Sequence, residues 1–202
     1  MIRILLVEPM NLLRGALAAT LSLEEDFEVV ADLGDLRQAL DMARSAPPDV
    51  AVIGIGLLAG DGLRTIVQLG AEQPRCATLV LAGPDAPGRL SRALDAHVRG
   101  VVGTHAAPCE LVQGIRRAAR GERVIDARVA VAVLAAPRSP LTPRELDVLS
   151  ALASGAPSQE VAAKLHLTTG TVRNYISAIL RKTGARNRLE AVRLAEDAGW
   201  FR

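Results

Sequence analysis

The chain has 202 residues, half of them hydrophobic and only 2% aromatic, which suits one large or two small domains with aliphatic cores. Its net charge of +2 is unevenly placed: ten Lys and Arg stand against six Asp and Glu from Arg138 onward, and fourteen against sixteen before it. That is a basic module behind a slightly acidic one, a layout that suits phosphate contacts at one end only. No uninterrupted apolar stretch reaches membrane-spanning length, so no membrane partner is expected. Met1-Ile2-Arg3 runs directly into a strand-like segment, with no cleavage pattern, and a cytoplasmic protein is expected. Cys76 and Cys109 have neither a CxxC spacing nor clustered histidines, which predicts core or loop thiols and no metal or other cofactor.

Residues 1–120 alternate strand and helix signals. Ile2 to Val7 is an apolar run, and Asn11 to Leu23 has helical periodicity through Leu12, Leu13, Ala16, Leu17 and Leu21. Phe27 to Ala31 reads as a strand and Asp35 to Arg44 as a helix. Val50 to Ile55 is a buried strand, followed by a helix from Asp61 to Leu69. Thr78 to Ala82 is a strand with a weak helix after Pro87, Val101-Val102 a short last strand, and Pro108 to Arg120 a final helix. Five such units predict an α/β, doubly wound, five-stranded parallel sheet, with any ligand site at the carboxyl ends of the strands.

Residues 121–140 read as a linker, partly helical, whose Ala-Pro-Arg-Ser-Pro end breaks structure. Residues 141–202 then hold four short amphipathic helical patterns. Thr142-Pro143-Arg144-Glu145 is a capping box with Pro at the first helical position, flanked by Leu141 and Leu146 at staple spacing. Ser158 is placed to cap a helix ending at Leu165. Thr168 is placed to cap the next one, which Gly184 closes, and Asn187 to cap the last, with Glu190 three residues on. In the third helix Val172, Ile176, Ile179 and Leu180 form one stripe. Arg173, Asn174, Ser177 and Arg181 fall opposite it. Arg forks onto guanine, Asn pairs with adenine and Ser serves either, so this face has the chemistry of a major-groove reader in a helix-turn-helix.

The run Leu141-Thr142-Pro143-Arg144-Glu145, then Glu160-Val161-Ala162, Gly170-Thr171-Val172-Arg173-Asn174 and Asn187-Arg188-Leu189-Glu190-Ala191-Val192 closely resembles the LuxR/NarL-type DNA-binding domain. The resemblance implies that Arg173, Asn174 and Ser177 face bases of double-stranded DNA. It also implies that Thr169, Thr171, Arg181 and Lys182 hold phosphates, and that Leu189, Val192 and Arg193 belong to a homodimer contact. The order of elements before it, with Pro48-Asp49-Val50, Gly60-Asp61-Gly62-Leu63 and Arg99-Gly100-Val101-Val102, resembles a response-regulator receiver of flavodoxin-like topology. In such receivers the helices corresponding to Arg89–Asp95 and Pro108–Arg120, with the strand between them, often pair.

A receiver uses an aspartate at the end of its third strand as phosphoryl acceptor, two acids after the first strand to hold magnesium, and a lysine after the fifth. By the resemblance, the acceptor position here is Gly54, the acidic pair is Glu8-Pro9, the switch hydroxyl is Ala82 and the lysine is Thr104. Asp49 lies at the wrong end of its strand to substitute, and Asp61 lies in the following loop. Glu8 alone is a weak magnesium site and reads as a solvated or hydrogen-bonded loop acid. The recess left by these small residues either accepts a small ligand or is filled by neighbouring side chains. What the chain then implies is no catalytic residue and a sequence-specific transcriptional regulator that works without aspartyl phosphorylation. The alternative is a metabolite- or protein-binding pseudo-receiver that gates the reader.

Overall fold

The computed structural model describes residues 1–58, 62–83, 87–96, 98–134 and 139–200. Two compact units divide it, Met1–Ala135 and Ala136–Arg202.

In the first unit β1 (Ile2–Val7), β2 (Phe27–Leu33), β3 (Val50–Gly54), β4 (Ala77–Ala82), β5 (Gly100–Gly103) and β6 (Val124–Ile125) form one parallel sheet in the order β2-β1-β3-β4-β5-β6. The sheet has six strands where the periodicity predicts five. A two-residue strand between turn-forming residues carries no alternation to detect; it exists because Gly100 and Val101 of β5 offer it a free edge.

The strand residues alternate between two cores, as a period of two requires. Leu5, Val7, Ala51, Ile53, Val80 and Ala82 face one side, with α2 (Ala39–Ser45), α3 (Gly62–Glu72) and α4 (Pro87–Asp95). Ile4, Leu6, Val50, Val52, Leu79 and Leu81 face the other, with α1 (Asn11–Leu21) and α5 (Pro108–Ala119). Both faces are covered, which is why β3 and β4 read as continuous apolar runs. The order reverses between β1 and β3, so the carboxyl ends of these two strands form the crevice where such sheets bind ligands.

Part of the expected linker belongs to this unit. After β6, α6 (Ala127–Leu134) is capped by Asp126, whose Oδ1 accepts the Arg128 amide at 2.8 Å. Its Val129 is 1% exposed in the first core, and the helix packs on α4 and β5.

The second unit is four helices: α7 (Pro143–Ala153), α8 (Ser158–Lys164), α9 (Thr169–Thr183) and α10 (Arg188–Ala198). Val148, Leu149, Leu152, Val161, Val172, Ile179, Ala191 and Ala195 form its buried core. Leu141 and Leu146 both join that core, as staple residues do. Ser158 does not cap α8. Pro157 holds the extended N-cap conformation and its carbonyl accepts the Glu160 amide at 3.0 Å, so Ser158 is the first helical residue.

Candidate nucleic-acid interface and receiver pocket

The base-facing residues expected from the sequence all lie on α9. Thr168 starts the helix by accepting the Thr171 amide at 3.1 Å, and its hydroxyl lies 2.8 Å from that of Thr171. Gly184 ends it at φ +71°, a left-handed position that favours glycine. The turn before α9 uses His166 at φ +53° in the same role after α8, with the Leu167 amide donating to the Ala162 carbonyl at 2.8 Å.

Burial of Val172 and Ile179 fixes the rotation of α9, and Arg173, Asn174, Ser177 and Arg181 are consequently exposed on one face. Among the described residues no hydrogen bond or ion pair holds the side chains of Arg173, Asn174 or Arg181. The Ser177 hydroxyl donates to the Arg173 carbonyl at 3.1 Å. Thr169 and Thr171, at the start of the same helix, are half-buried.

Lys182 differs. Its Nζ lies 2.7 Å from Oε2 of Glu145, on the first turn of α7. That oxygen also accepts the Thr142 amide at 2.7 Å, completing the capping box. Burial pushes the Glu145 carboxyl up, but the Lys182 ammonium and the Thr142 donors outweigh it and hold the group below its ordinary value. One residue earlier, Arg144 donates to the Leu165 carbonyl at 2.7 Å. Neither link is legible in the sequence, because the partners stand 37 and 21 positions apart with no local pattern joining them.

On α10, Asn187 caps the start by accepting the Glu190 amide at 3.0 Å. Leu189 is 74% exposed, Val192 is half-buried and Arg193 is exposed, with Arg193 Nε 3.9 Å from Asp197. Leu189 is a large apolar side chain left in solvent on a well-anchored helix.

In the first unit the residues expected at the degenerate receiver pocket converge at the carboxyl ends of β1, β3, β4 and β5. Val7 pairs with Ile53, which brings Glu8 beside Gly54. Ala82 is fully buried opposite Gly103, and its carbonyl accepts the Thr104 amide at 3.0 Å. Glu8 is only 6% exposed. Its Oε1 accepts the Met10 amide at 2.9 Å, and its main-chain oxygen accepts Arg14 at 2.8 Å. Its Oε2 lies where a side-chain carbon on Gly54 would have to sit, with the Pro9 ring beside it. Glu8 is therefore a buried, hydrogen-bonded acid that fills the space over Gly54, and the solvated reading of it does not hold.

Asp49 precedes β3 at the opposite end, where its Oδ2 accepts the Arg3 amide at 2.8 Å. Asp61 and His97 lie outside the described residues. His105 lies 3.7 Å from Asp126. Among the described residues no group of three or more His, Cys, Asp or Glu is placed to hold a metal, and no helix is long and apolar enough to cross a membrane.

A doubly wound domain with its crevice at the β1–β3 switch, joined in one chain to a capped helix-turn-helix with an open polar face, defines a receiver coupled to a DNA-binding module. Residues 4–116 match the response regulator receiver domain, and residues 139–195 match the bacterial regulatory proteins of the luxR family. The chain belongs to the LuxR-family response regulators, which makes it a DNA-binding transcriptional regulator. It is 38% identical to the response regulator RamR of Streptomyces coelicolor, over 99% of this chain and 98% of that one. It is 35% identical to the transcriptional regulatory protein DesR of Bacillus subtilis over the full length of both. In fold it matches RcsB of Salmonella enterica serovar Typhimurium bound to a promoter, with a TM-score of 0.65 at 21% identity, covering 100% of both chains.

Proposed function

We propose that this regulator binds specific duplex DNA as a homodimer in the cytoplasm, through α9, and that its receiver works without aspartyl phosphorylation. The observation that carries the second part is the Glu8 carboxylate over Gly54. Phosphoryl transfer to a receiver needs a carboxylate nucleophile at the end of β3 and a cation to offset phosphate charge. Glycine supplies no nucleophile, and the remaining acid occupies the volume that one would need. Thr104 in place of a lysine leaves no ammonium for the phosphoryl oxygens. Incubation with acetyl phosphate and magnesium, followed by intact-mass measurement, is expected to leave the mass unchanged. A stable phosphoryl adduct on the first unit would overturn this reading.

For DNA, Arg173, Asn174 and Ser177 serve as base contacts and Thr169, Thr171 and Arg181 as phosphate contacts. The open, basic face of α9 supports this, and a steep fall of affinity with salt is its signature. Leu189, Val192 and Arg193 on α10 form the contact between protomers.

A second reading, that a ligand or protein on the receiver gates the reader, has one observation in its favour. A cavity of about 230 Å³ opens between α1 and the start of α5, lined chiefly by Leu13, Leu17, Leu81, Val102, Pro108 and Leu111, beside Thr104. Its lining suits a small apolar ligand. A thermal-shift screen tests this, since binding to the native state raises the melting temperature. No shift across a broad set of apolar metabolites, with no partner in pull-downs, would leave the receiver a dimerisation module.

A further inference from the structure

We infer that Glu145 and Lys182 are a positioning pair that ties the C-terminal end of α9 to α7, so that the helix carrying Arg173, Asn174 and Ser177 is held for base reading and Lys182 is not a phosphate contact. The inference rests on α9 being the DNA reader, as proposed above.

Three features of the geometry converge. First, Glu145 is 5% exposed, and a carboxylate that deep requires a compensating charge. Lys182 supplies it, while the Thr142 amide and hydroxyl take the same oxygen at 2.7 and 3.0 Å. For Lys182 to reach a phosphate it would have to abandon a buried anion.

Second, the pair adds a polar tie to the apolar packing that Leu180 and Ala185 provide at this end of α9. Val172 and Ile179 are the fully buried residues of α9, and beyond them the last turn carries Arg181, Lys182 and Thr183 beside the half-buried Leu180. That turn is tied to α7 through Lys182. Arg181, on the DNA-facing side, depends on this turn for its position.

Third, the preceding residue holds the other helix of the motif. Arg144 bonds the Leu165 carbonyl at the end of α8, just before the turn into α9. Consecutive residues on the first turn of α7 thus hold both helices of the helix-turn-helix. Side chains that read base edges must be held to within about half an ångström and 10–20°, and a bracket of this kind supplies that constraint.

The test uses the full chain and a duplex of about 30 base pairs selected by the wild-type protein from a random pool, with a scrambled duplex as reference. Variants are Glu145→Gln, Lys182→Met, Lys182→Arg and the double Glu145→Gln/Lys182→Met, each studied well below its melting temperature. Either single loss of the pair should lower the selected-to-scrambled affinity ratio by about tenfold, and the double should be no worse than the poorer single. Lys182→Arg, which keeps the charge, should restore most of the ratio. The slope of log affinity against log salt should not change in Lys182→Met.

A slope reduced by about 0.9 in Lys182→Met with the ratio retained would make Lys182 a phosphate contact and sink the inference. So would lower melting temperatures with the ratio intact, the mark of a merely structural pair. If Glu145→Gln does not fold, the contrast between Lys182→Met and Lys182→Arg decides the same question. Failure of the wild-type chain to select any preferred duplex would remove the base-reading assignment itself, and the inference with it.

Discussion

Arg173 is the residue on which the proposed sequence readout most directly rests. It is exposed on α9 with its guanidinium free of any partner among the described residues, so removing it should cost little stability. Arg173→Ala is expected to lower specific binding by about 1–3 kcal/mol and to relax preference at one base position, measured by competition between selected and scrambled duplexes. Unchanged discrimination would move the base contact elsewhere. The two cysteines should part in reactivity. Burial pushes the Cys76 thiol up to about 12, whereas Cys109 is exposed at the start of α5. Thiolate is the reactive form, so iodoacetamide at neutral pH should add one group, on Cys109, by intact mass and peptide mapping. Acid should expose Glu145. Its carboxyl titrates below the ordinary value of 4.5 in the folded chain, so the unfolded chain takes up its proton first. That contribution is complete above about 4.5 and is lost as the pH falls through the depressed native value. Urea unfolding of the reader in wild type and Glu145→Gln should therefore converge at low pH and diverge above it. A constant gap at all pH values would mean that the carboxylate contributes nothing.

At the scale of elements, the caps of α7, α9 and α10 were legible because they are local, whereas Ser158 proved to be the first residue of α8 and not its cap. Thr142-Pro143-Arg144-Glu145 and Asn187 to Glu190 carry their geometry within one helical turn, and the hydrogen bonds fall where that spacing puts them. β6 and α6 were not legible as parts of the first unit. Val124-Ile125 is too short to show alternation, and the apolar run through Leu134 looks like any short helix until the edge of β5 and the side of α4 are in place. The pair should matter energetically. Val129→Ala, at 1% exposure, is expected to cost the first unit about 2 kcal/mol in urea unfolding. Leu134→Ala, at 86% exposure on the same helix, should cost almost nothing. Equal effects would mean that α6 does not pack as described. The same elements bear on pairing between receivers. The edge of β5 that the resemblance placed in a pairing face is occupied by β6.

At the scale of the whole molecule, a dimeric regulator should bind two half-sites, and α10 is where the two readers are proposed to meet. Leu189→Glu replaces a 74% exposed apolar side chain, so folding should be preserved. The expected outcome is one protomer rather than two per duplex by sedimentation, with affinity lower by about tenfold or more as the second half-site contact is lost. Two protomers bound with unchanged affinity would place the dimer contact elsewhere. What the sequence determined by itself was whatever lies within a few residues along the chain: strand and helix periods, caps, the polar face of α9, and the identities at the carboxyl ends of the strands. Those identities placed glycine at position 54, but they left open whether the recess was empty. The tertiary structure filled the part over Gly54, because the register of β1 against β3 brings Glu8 beside Gly54 and leaves it only 6% exposed. Folding likewise gave Lys182 its partner, 37 residues away, since only a packed core brings the first turn of α7 to the last turn of α9. Local pattern fixes which groups a chain can offer. Burial and long-range pairing decide which of them remain free to act.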